Sequence, residues 1–318
     1  MRDLGLVDSL GLTEPSLPTE VLVGSRDLRR LLPQVRCHTC SQEIPARCLY
    51  PVFAYGQHVD GLFVCSPELA VCQVFARDDM GLVKRLQLLM GLTGSYRLIG
   101  DELRSHCPPV VTIQSLRSFA SKAKGIRGHL ALARTIPFLM EGSASPAETD
   151  LAIALSLPLR HGGARLGKPA LNRELRLNPQ ARAILGRETI TPDMLFFGPK
   201  APPFGFPVEY ESLQEHSNEE QAAYDELRRN TYAAMGSGCF LARPKHLKSE
   251  QAFDAMAAVV AKNTGRRLAP LNPREAKRHG DLLTEALERW RRRPDGQPPD
   301  DLYGEWPHDA WFDGAELL

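Results

Sequence analysis

This sequence contains no run of eighteen apolar residues, so no membrane-spanning helix is predicted. The opening segment, Met1 to Leu6, has an early acid and leads into no sustained apolar stretch, so we expect no secretory signal. The seven cysteines are an odd number and several lie inside apolar runs, which favours a reducing cytoplasm over a disulfide framework. The sequence thus predicts a cytoplasmic protein without a membrane partner.

Net charge is also small, +1 for 318 residues, but the charges are segregated along the chain. Residues 117–187 carry twelve Lys or Arg and four acids, and residues 266–293 carry nine and four. Residues 295–318 carry seven acids and no Lys or Arg. Such blocks are compatible with nucleic-acid contact by the middle of the chain and an acidic tail folded elsewhere. A charged surface exposed to solvent is the alternative explanation for each block.

Two ligand-binding patterns are incomplete. Cys37 and Cys40 form one Cys-x-x-Cys pair, but a zinc site needs a second pair, and burial explains the other cysteines as well. The glycine-rich segment 161–168 lacks the Walker spacing and the Gly-Lys-Ser/Thr ending of a phosphate-binding loop. Neither pattern is taken as a site.

The strongest functional pattern is a set of four acids between positions 145 and 211. Glu148 opens an apolar helix, and Asp193 begins a short strand. Glu209 and Glu211 share one face of another strand, and a hairpin would bring Asp193 alongside them. Three converging carboxylates would repel each other unless a divalent cation neutralised them, and Mg²⁺ or Mn²⁺ prefers oxygen ligands. We therefore predict Asp193, Glu209 and Glu211 as metal ligands, with Glu148 orienting a metal-bound water.

Each acid also has a structural explanation. Glu148 would suit the positive end of a helix dipole, and Asp193 would cap or edge its strand. Glu209 and Glu211 would then form the solvated face of their strand. Against this explanation, acids are disfavoured in strands, and the segment 194–197 has a buried character.

Four further side chains complete the candidate site. His216 would exchange protons with the attacking water or the leaving oxygen, since histidine titrates near neutrality. Arg228, Arg229 and Lys245 are predicted nucleic-acid-binding residues because they would hold phosphates by charge-assisted hydrogen bonds. A structural histidine and ordinary surface bases are the alternatives.

The element pattern predicts an α/β (α+β) fold with a domain boundary in the small-residue segment 142–146. The predicted parts are an N-terminal α/β domain that is regulatory or DNA-binding (1–142), a mixed β-sheet flanked by helices (143–250), a helical extension (251–294) and an acidic tail (295–318). Ser-Pro helix starts are predicted at Ser66 and Ser145. Other predicted helices are 26–32, 81–97, 113–133 with breaks at Gly125 and Gly128, 219–234, 253–261 and 280–293. Predicted strands are 171–177, 194–197, 208–211 and 239–242, with a loop at 200–207.

Taken together, these residues resemble the PD-(D/E)XK nuclease superfamily, and most closely its very-short-patch-repair-like branch of bacterial proteins. That branch commonly carries an Asp on one strand, Glu-x-Asp-Gly-x-x-x-His on the next, and an Asp-x-x-Arg helix. The matching residues, in order, are Pro192-Asp193, then Glu209, Glu211 and His216, then Asp225 with Arg228 or Arg229. Glu148 resembles the first-helix glutamate. The resemblance covers roughly a third of the chain, and residues 36–135 are more weakly similar to the region that accompanies abortive-infection antitoxin-type regulators.

The resemblance implies a restriction-endonuclease-like core and a Mg²⁺-dependent endonuclease that hydrolyses DNA phosphodiesters in DNA repair or phage defence. The chain departs from the family at Glu211, which replaces the superfamily lysine and the branch aspartate. The longer side chain would displace a ligand by about a methylene, and a Mg²⁺ shell at roughly 2.1 Å tolerates little error. One alternative is therefore a degenerate nuclease fold that acts as a DNA-binding or regulatory module. Another is a toxin–antitoxin-type component whose protein partner binds the N-terminal domain or the acidic tail.

Overall fold

The computed structural model contains both helices and strands over the described residues, which are 19–29, 35–40, 44–54, 57–77, 79–99, 102–211 and 219–291. The predicted mixed α/β content is confirmed. The strands are β1 (Thr19–Val23), β2 (Val35–Thr39), β3 (Leu49–Ala54), β4 (Gln57–Cys65), β5 (Arg97–Ile99), β6 (Glu102–Arg104), β7 (Ala170–Leu171), β8 (Leu175–Arg176), β9 (Thr189–Ile190), β10 (Met194–Phe196), β11 (Phe206–Tyr210) and β12 (Phe240–Ala242). The helices are α1 (Pro67–Phe75), α2 (Leu82–Thr93), α3 (Ile113–Lys122), α4 (His129–Thr135), α5 (Pro146–Ser156), α6 (Pro179–Leu185), α7 (Glu219–Ala234), α8 (Pro244–Lys248), α9 (Glu250–Thr264) and α10 (Pro273–Arg291).

Contacts between residues divide the described chain into two compact units. One contains the residues from 19 to 80 together with 114–134, and the other contains 81–113 together with 135–291. Each unit is therefore assembled from separated stretches of sequence. None of the helices in the described ranges is long and apolar enough to span a bilayer. None of the seven cysteines, all of which lie in those ranges, forms a disulfide bond.

The predicted hinge at 142–146 lies inside the second unit and is fixed by hydrogen bonds. The Ser95 amide donates to the Ser143 carbonyl at 2.8 Å, and the Ser143 hydroxyl lies 2.8 Å from the hydroxyl of Thr149. A Cβ atom at Gly94 would lie 2.3 Å from the Ser143 carbonyl oxygen. The close approach therefore requires glycine at position 94, and the composition of 142–146 alone cannot distinguish such a packed segment from a linker.

In the first unit, β3 and β4 form an antiparallel hairpin, and β1 pairs in parallel with β2. The helix start predicted at Ser66 is confirmed, because its hydroxyl accepts from the Leu69 amide at 3.3 Å. The predicted break between α3 and α4 is also confirmed. Gly128 has a φ of 89°, and a Cβ there would lie 1.8 Å from the Cys72 carbonyl oxygen. Of the helix predicted at 26–32, the described residues contain a single 3-10 turn, Arg26–Leu28.

A four-stranded sheet in the order β12-β11-β10-β7 organises the second unit. β10 pairs antiparallel with both β7 and β11, whereas β11 pairs in parallel with β12. Met194 lies opposite Val208, and Glu209 lies opposite Leu241. The strands predicted at 194–197, 208–211 and 239–242 are thus present as β10, β11 and β12 within one or two residues at each end.

Two predicted boundaries in this region were wrong. The strand predicted at 171–177 is divided into β7 and β8, because Asn172 takes a left-handed conformation with a φ of 46°. The loop predicted at 200–207 ends at Gly205, and Pro207 lies in β11 opposite Leu195. Proline is tolerated there since β12 begins to pair only at Val208, so the missing N–H interrupts no ladder on that side.

Helices cover this sheet and position the acids. All residues of α5 from Pro146 to Leu155 are buried, including the polar residues Glu148, Thr149 and Asp150. α5 packs against α2 and α10, α9 packs against β11 and β12, and α6 packs against α7. Tyr232 of α7 is fully buried in a cluster that includes Leu195 of β10. The predicted helix 219–234 is confirmed as α7, and α9 and α10 begin before their predicted starts.

Candidate functional site

Three of the predicted acids come together from α5, β10 and β11. Met194 pairs with Val208 in the antiparallel register of β10 and β11. Continuing that register by one residue puts Asp193 opposite Glu209, on the same face of the sheet. Asn172 connects the third acid to this pair. Its backbone amide donates to the Asp193 carbonyl at 3.0 Å, and its side-chain amide donates to Oε2 of Glu148 at 2.6 Å.

Glu209 is buried and has a partner at each carboxylate oxygen. Oε2 accepts from the Asp193 amide at 3.1 Å. Oε1 accepts from the guanidinium of Arg228 and from the hydroxyl of Tyr232. With only 6 % of Glu209 exposed, the explanation that it lies on a solvated strand face is excluded.

Asp193 and Glu148 each use one carboxylate oxygen in hydrogen bonds. Oδ2 of Asp193 accepts from the Tyr210 amide at 2.7 Å. Oε2 of Glu148 accepts from the Ala144 amide at 3.0 Å as well as from Asn172. Within the described part of the chain, no backbone amide donates to Oδ1 of Asp193 or to Oε1 of Glu148, although the Ser145 hydroxyl lies near enough to the Glu148 carboxyl group to lower its pKa. These two oxygens are the atoms of the cluster that remain available to a cation.

Burial and neighbouring charges shift the pKa values of Asp193 and Glu148. Burial raises the pKa of Asp193 well above its ordinary value, and the charges of Glu209 and Glu148 raise it further against the opposing Tyr210 amide and Arg228. Burial likewise raises the pKa of Glu148, with a smaller contribution from Glu209, although its hydrogen bonds oppose the shift. Ionising all of the cluster is therefore costly in the absence of an additional positive charge.

Arg228 supplies one such charge but is committed to the protein. Burial is the largest single influence on the pKa of Arg228 and lowers it, but the charges of Glu209 and Tyr232 and the hydrogen bonds to Glu209 and Tyr224 together raise it above its ordinary value. Arg228 also donates to the Thr191 carbonyl at 3.1 Å. Arg229 and Lys245, by contrast, are exposed. Of the three bases predicted to contact nucleic acid, two are thus accessible and one is an internal counter-ion.

Glu211 is placed differently from the other acids. It is buried, and its Oε2 accepts from Nε of Arg243 at 3.1 Å. Asp193, Glu209 and Glu211 were predicted as one ligand set, but their carboxylate oxygens do not all lie within 4.8 Å of one another. In the described residues a group that meets this distance is formed by Glu250, Asp254 and His279.

The metal-binding role of the predicted acids therefore stays a prediction, in which the placement favours Asp193 and Glu148 over Glu211. His216, the side chain of Asp225 and the tail at 295–318 lie outside the described residues.

Several residues of the site were not predicted from the sequence. Tyr232 follows Arg228 by one helical turn, and this spacing was a signal that could have identified it. Asn172 carried a weaker signal, since asparagine tolerates the left-handed conformation better than most residues. Arg243 gave no local signal for its pairing with Glu211, because the contact depends on how β11 and β12 align.

Comparisons with protein-family models, curated proteins and solved structures found no match for this chain. Its function is therefore argued from the residues of the site.

Proposed function

We propose that this chain is a metal-dependent nuclease that hydrolyses DNA phosphodiesters through a restriction-endonuclease-like core. The observation that carries the proposal is the convergence of Glu148, Asp193 and Glu209 from a helix start and two neighbouring strands. Buried acids that raise one another's pKa are common where catalysis needs them. Structural ion-pair networks produce the same effect, so the proposal also depends on the two available oxygens.

Those oxygens fit Mg²⁺ or Mn²⁺. Asp193 and Glu148 would hold the ion through Oδ1 and Oε1, which are hard oxygen donors of the kind these cations prefer. Burial is the main cause of the raised pKa values of Asp193 and Glu148, and a bound cation would offset both the cost of burying their charges and their mutual repulsion. When bound, Mg²⁺ supplies an activated water and neutralises charge on the phosphoryl oxygens.

The surrounding residues have distinct roles in this proposal. Glu209 fixes the Asp193 backbone and is itself held by Arg228 and Tyr232, so it positions the ligands. Exposed Arg229 and Lys245 would contact phosphates on either side of the scissile bond. His216 keeps its predicted role in proton transfer.

The second candidate is a degenerate nuclease fold that binds DNA without cutting it. Two contacts favour it. Both oxygens of Glu209 are already engaged within the protein. Glu211, at the position of the superfamily lysine, pairs with Arg243 instead of facing a substrate. On this reading the acids are structural, and the basic stretches supply the affinity.

A cleavage assay distinguishes the candidates. Supercoiled plasmid is incubated with the full chain in Mg²⁺ or in EDTA, alongside Asp193→Asn, Glu148→Gln and the exposed control Glu226→Gln. The nuclease proposal predicts Mg²⁺-dependent cleavage by the wild type and Glu226→Gln, with rates at least about a hundredfold lower in the other two variants. DNA binding without cleavage would support the degenerate fold. If the chain neither binds nor cuts DNA, both proposals are wrong.

A further inference from the structure

Outside the acid cluster, three potential metal ligands meet between α9 and α10. Glu250 and Asp254 are separated by one helical turn, so they lie on the same face of α9. His279 of α10 lies opposite them, and one ligand atom from each side chain falls within 4.8 Å of the other two. Nε2 of His279 is 3.0 Å from Oδ1 of Asp254.

The contacts of His279 fix the role of one of its two ring nitrogens. Its Nδ1 lies 2.6 Å from the Gly162 carbonyl oxygen. A carbonyl can only accept, so Nδ1 carries a proton and the neutral ring presents a lone pair at Nε2. That lone pair faces the carboxylate of Asp254, which is also an acceptor. A positive centre must lie between them, either a second ring proton or a metal ion.

The backbone holds the ring in this orientation. Gly162 has a φ of 85°, and a Cβ atom at this position would lie 2.2 Å from the Arg278 carbonyl oxygen. Only glycine allows the chain to pass this close to α10 and present its carbonyl to His279. An N–H donated to a backbone carbonyl is the usual support for a metal-binding histidine, since it fixes the ring and raises its basicity.

The second carboxylate favours a metal ion over a proton. Asp254 alone would satisfy a charged ring, whereas Glu250 adds another acid and has no hydrogen bond or ion pair within the described residues. We propose that Glu250, Asp254 and His279 bind Zn²⁺, separately from the acid cluster and independently of the nuclease proposal. Zn²⁺ takes mixed imidazole and carboxylate ligands, whereas Mg²⁺ and Ca²⁺ prefer oxygen alone.

The site joins two helices and a loop of the second unit. His279 is 6 % exposed at its side chain and Asp254 56 %, so the ion reaches the site from solvent and binds a buried nitrogen. Three protein ligands leave a fourth tetrahedral position for water. Because zinc binds only the folded arrangement, it stabilises the unit in proportion to the logarithm of its concentration above Kd.

Competition with a chromophoric chelator measures zinc affinity in the full chain after prior metal removal. Asp254→Asn and Glu250→Gln each remove an exposed ligand. Asp281→Asn is the control, because it removes an exposed acid from α10, the helix that carries His279. We expect one zinc ion per chain in the wild type and Asp281→Asn. Each ligand variant should bind at least about tenfold more weakly, and zinc at a concentration near the wild-type Kd should raise the Tm of the wild type more than that of Asp254→Asn.

Cobalt substitution separates this site from the cysteines, because thiolate ligands give an intense near-ultraviolet charge-transfer band and nitrogen or oxygen ligands do not. The Asp193→Asn variant should bind zinc like the wild type, whatever its nuclease activity. Zinc affinity that is unchanged in Asp254→Asn and Glu250→Gln would overturn the proposal. Absence of stoichiometric zinc binding in the wild type would do the same and leave an ion pair only.

Discussion

Asp193 has a pKa that burial and the neighbouring acids raise well above its ordinary value. Its raised pKa means that, above about pH 4, the folded chain retains a proton that the unfolded chain has released. The free energy of unfolding therefore falls as pH rises from the pKa of an aspartate in the unfolded chain to the higher pKa of Asp193 in the folded chain. Above the folded-state pKa it falls no further on account of this residue. Asp193→Asn removes the ionisation and still offers an oxygen to the Tyr210 amide.

We therefore expect Asp193→Asn to raise the free energy of unfolding at pH 7 by about 1 kcal/mol, and to flatten its decline with pH. Urea denaturation at several pH values without added metal measures this change. A variant that is less stable than the wild type at pH 7 would contradict the electrostatic account, since it would show that the ionised carboxylate is favourable.

Arg228 and its neighbour Arg229 offer a matched pair of substitutions. Arg228→Gln leaves Glu209 buried without its cationic partner, which should lower the free energy of unfolding by about 3 kcal/mol. Arg229→Gln alters an exposed side chain and should change it by less than about 0.5 kcal/mol. Denaturant midpoints of the two variants test this contrast, and equal effects would show that the pairing with Glu209 contributes little.

At the residue scale, the sequence predicted that Asp193 lies beside Glu209, but it also placed Glu211 with them and did not predict what these acids contact. The predicted hairpin was sufficient to bring Asp193 alongside Glu209, whereas Glu148, predicted only to orient a metal-bound water, joins them through Asn172. The sequence pattern did not predict that Arg228 pairs with Glu209 inside the protein, or that Glu211 pairs with Arg243. Each of these pairings joins side chains from distant segments of the chain. The residues next to each acid in the sequence therefore do not indicate its partner.

Among the elements, α5 links stability to the site because its first turn carries Glu148. The Ser145 hydroxyl accepts from the Glu148 amide at 3.2 Å, and Ser66 caps α1 in the same way. Ser145→Ala and Ser66→Ala should each lower the free energy of unfolding by about 1 kcal/mol. Only Ser145→Ala should also weaken Mg²⁺ binding, as measured by titration. Equal Mg²⁺ binding in both variants would show that the cap does not position Glu148.

Element boundaries followed the sequence wherever capping residues or periodicity were strong. Both Ser-Pro helix starts and the whole of α7 were predicted correctly. The errors occurred where a tertiary contact decided the conformation. Asn172 breaks a strand while bonding Glu148, and Pro207 enters a strand because its neighbour β12 starts one residue later.

For the whole molecule, the segregation of basic residues predicts the character of nucleic-acid binding. If exposed bases such as Arg229 and Lys245 neutralise phosphates, the logarithm of the DNA affinity should fall steeply and linearly with the logarithm of the salt concentration. Fluorescence anisotropy with a short duplex at several salt concentrations measures the slope. Substituting both residues with Gln should reduce that slope by about two ions. A salt-independent affinity would instead favour the hypothesis of a protein partner.

The central claim is that Asp193 and Glu148 hold Mg²⁺ through their available oxygens. Calorimetric titration of Mg²⁺ into the wild type, Asp193→Asn, Glu148→Gln and the control Glu226→Gln tests it most directly. The account predicts one Mg²⁺ site in the wild type and the control, loss of binding in the other two variants, and tighter binding as pH rises and the acids deprotonate. Undiminished Mg²⁺ binding in Asp193→Asn, or none in the wild type, would contradict it.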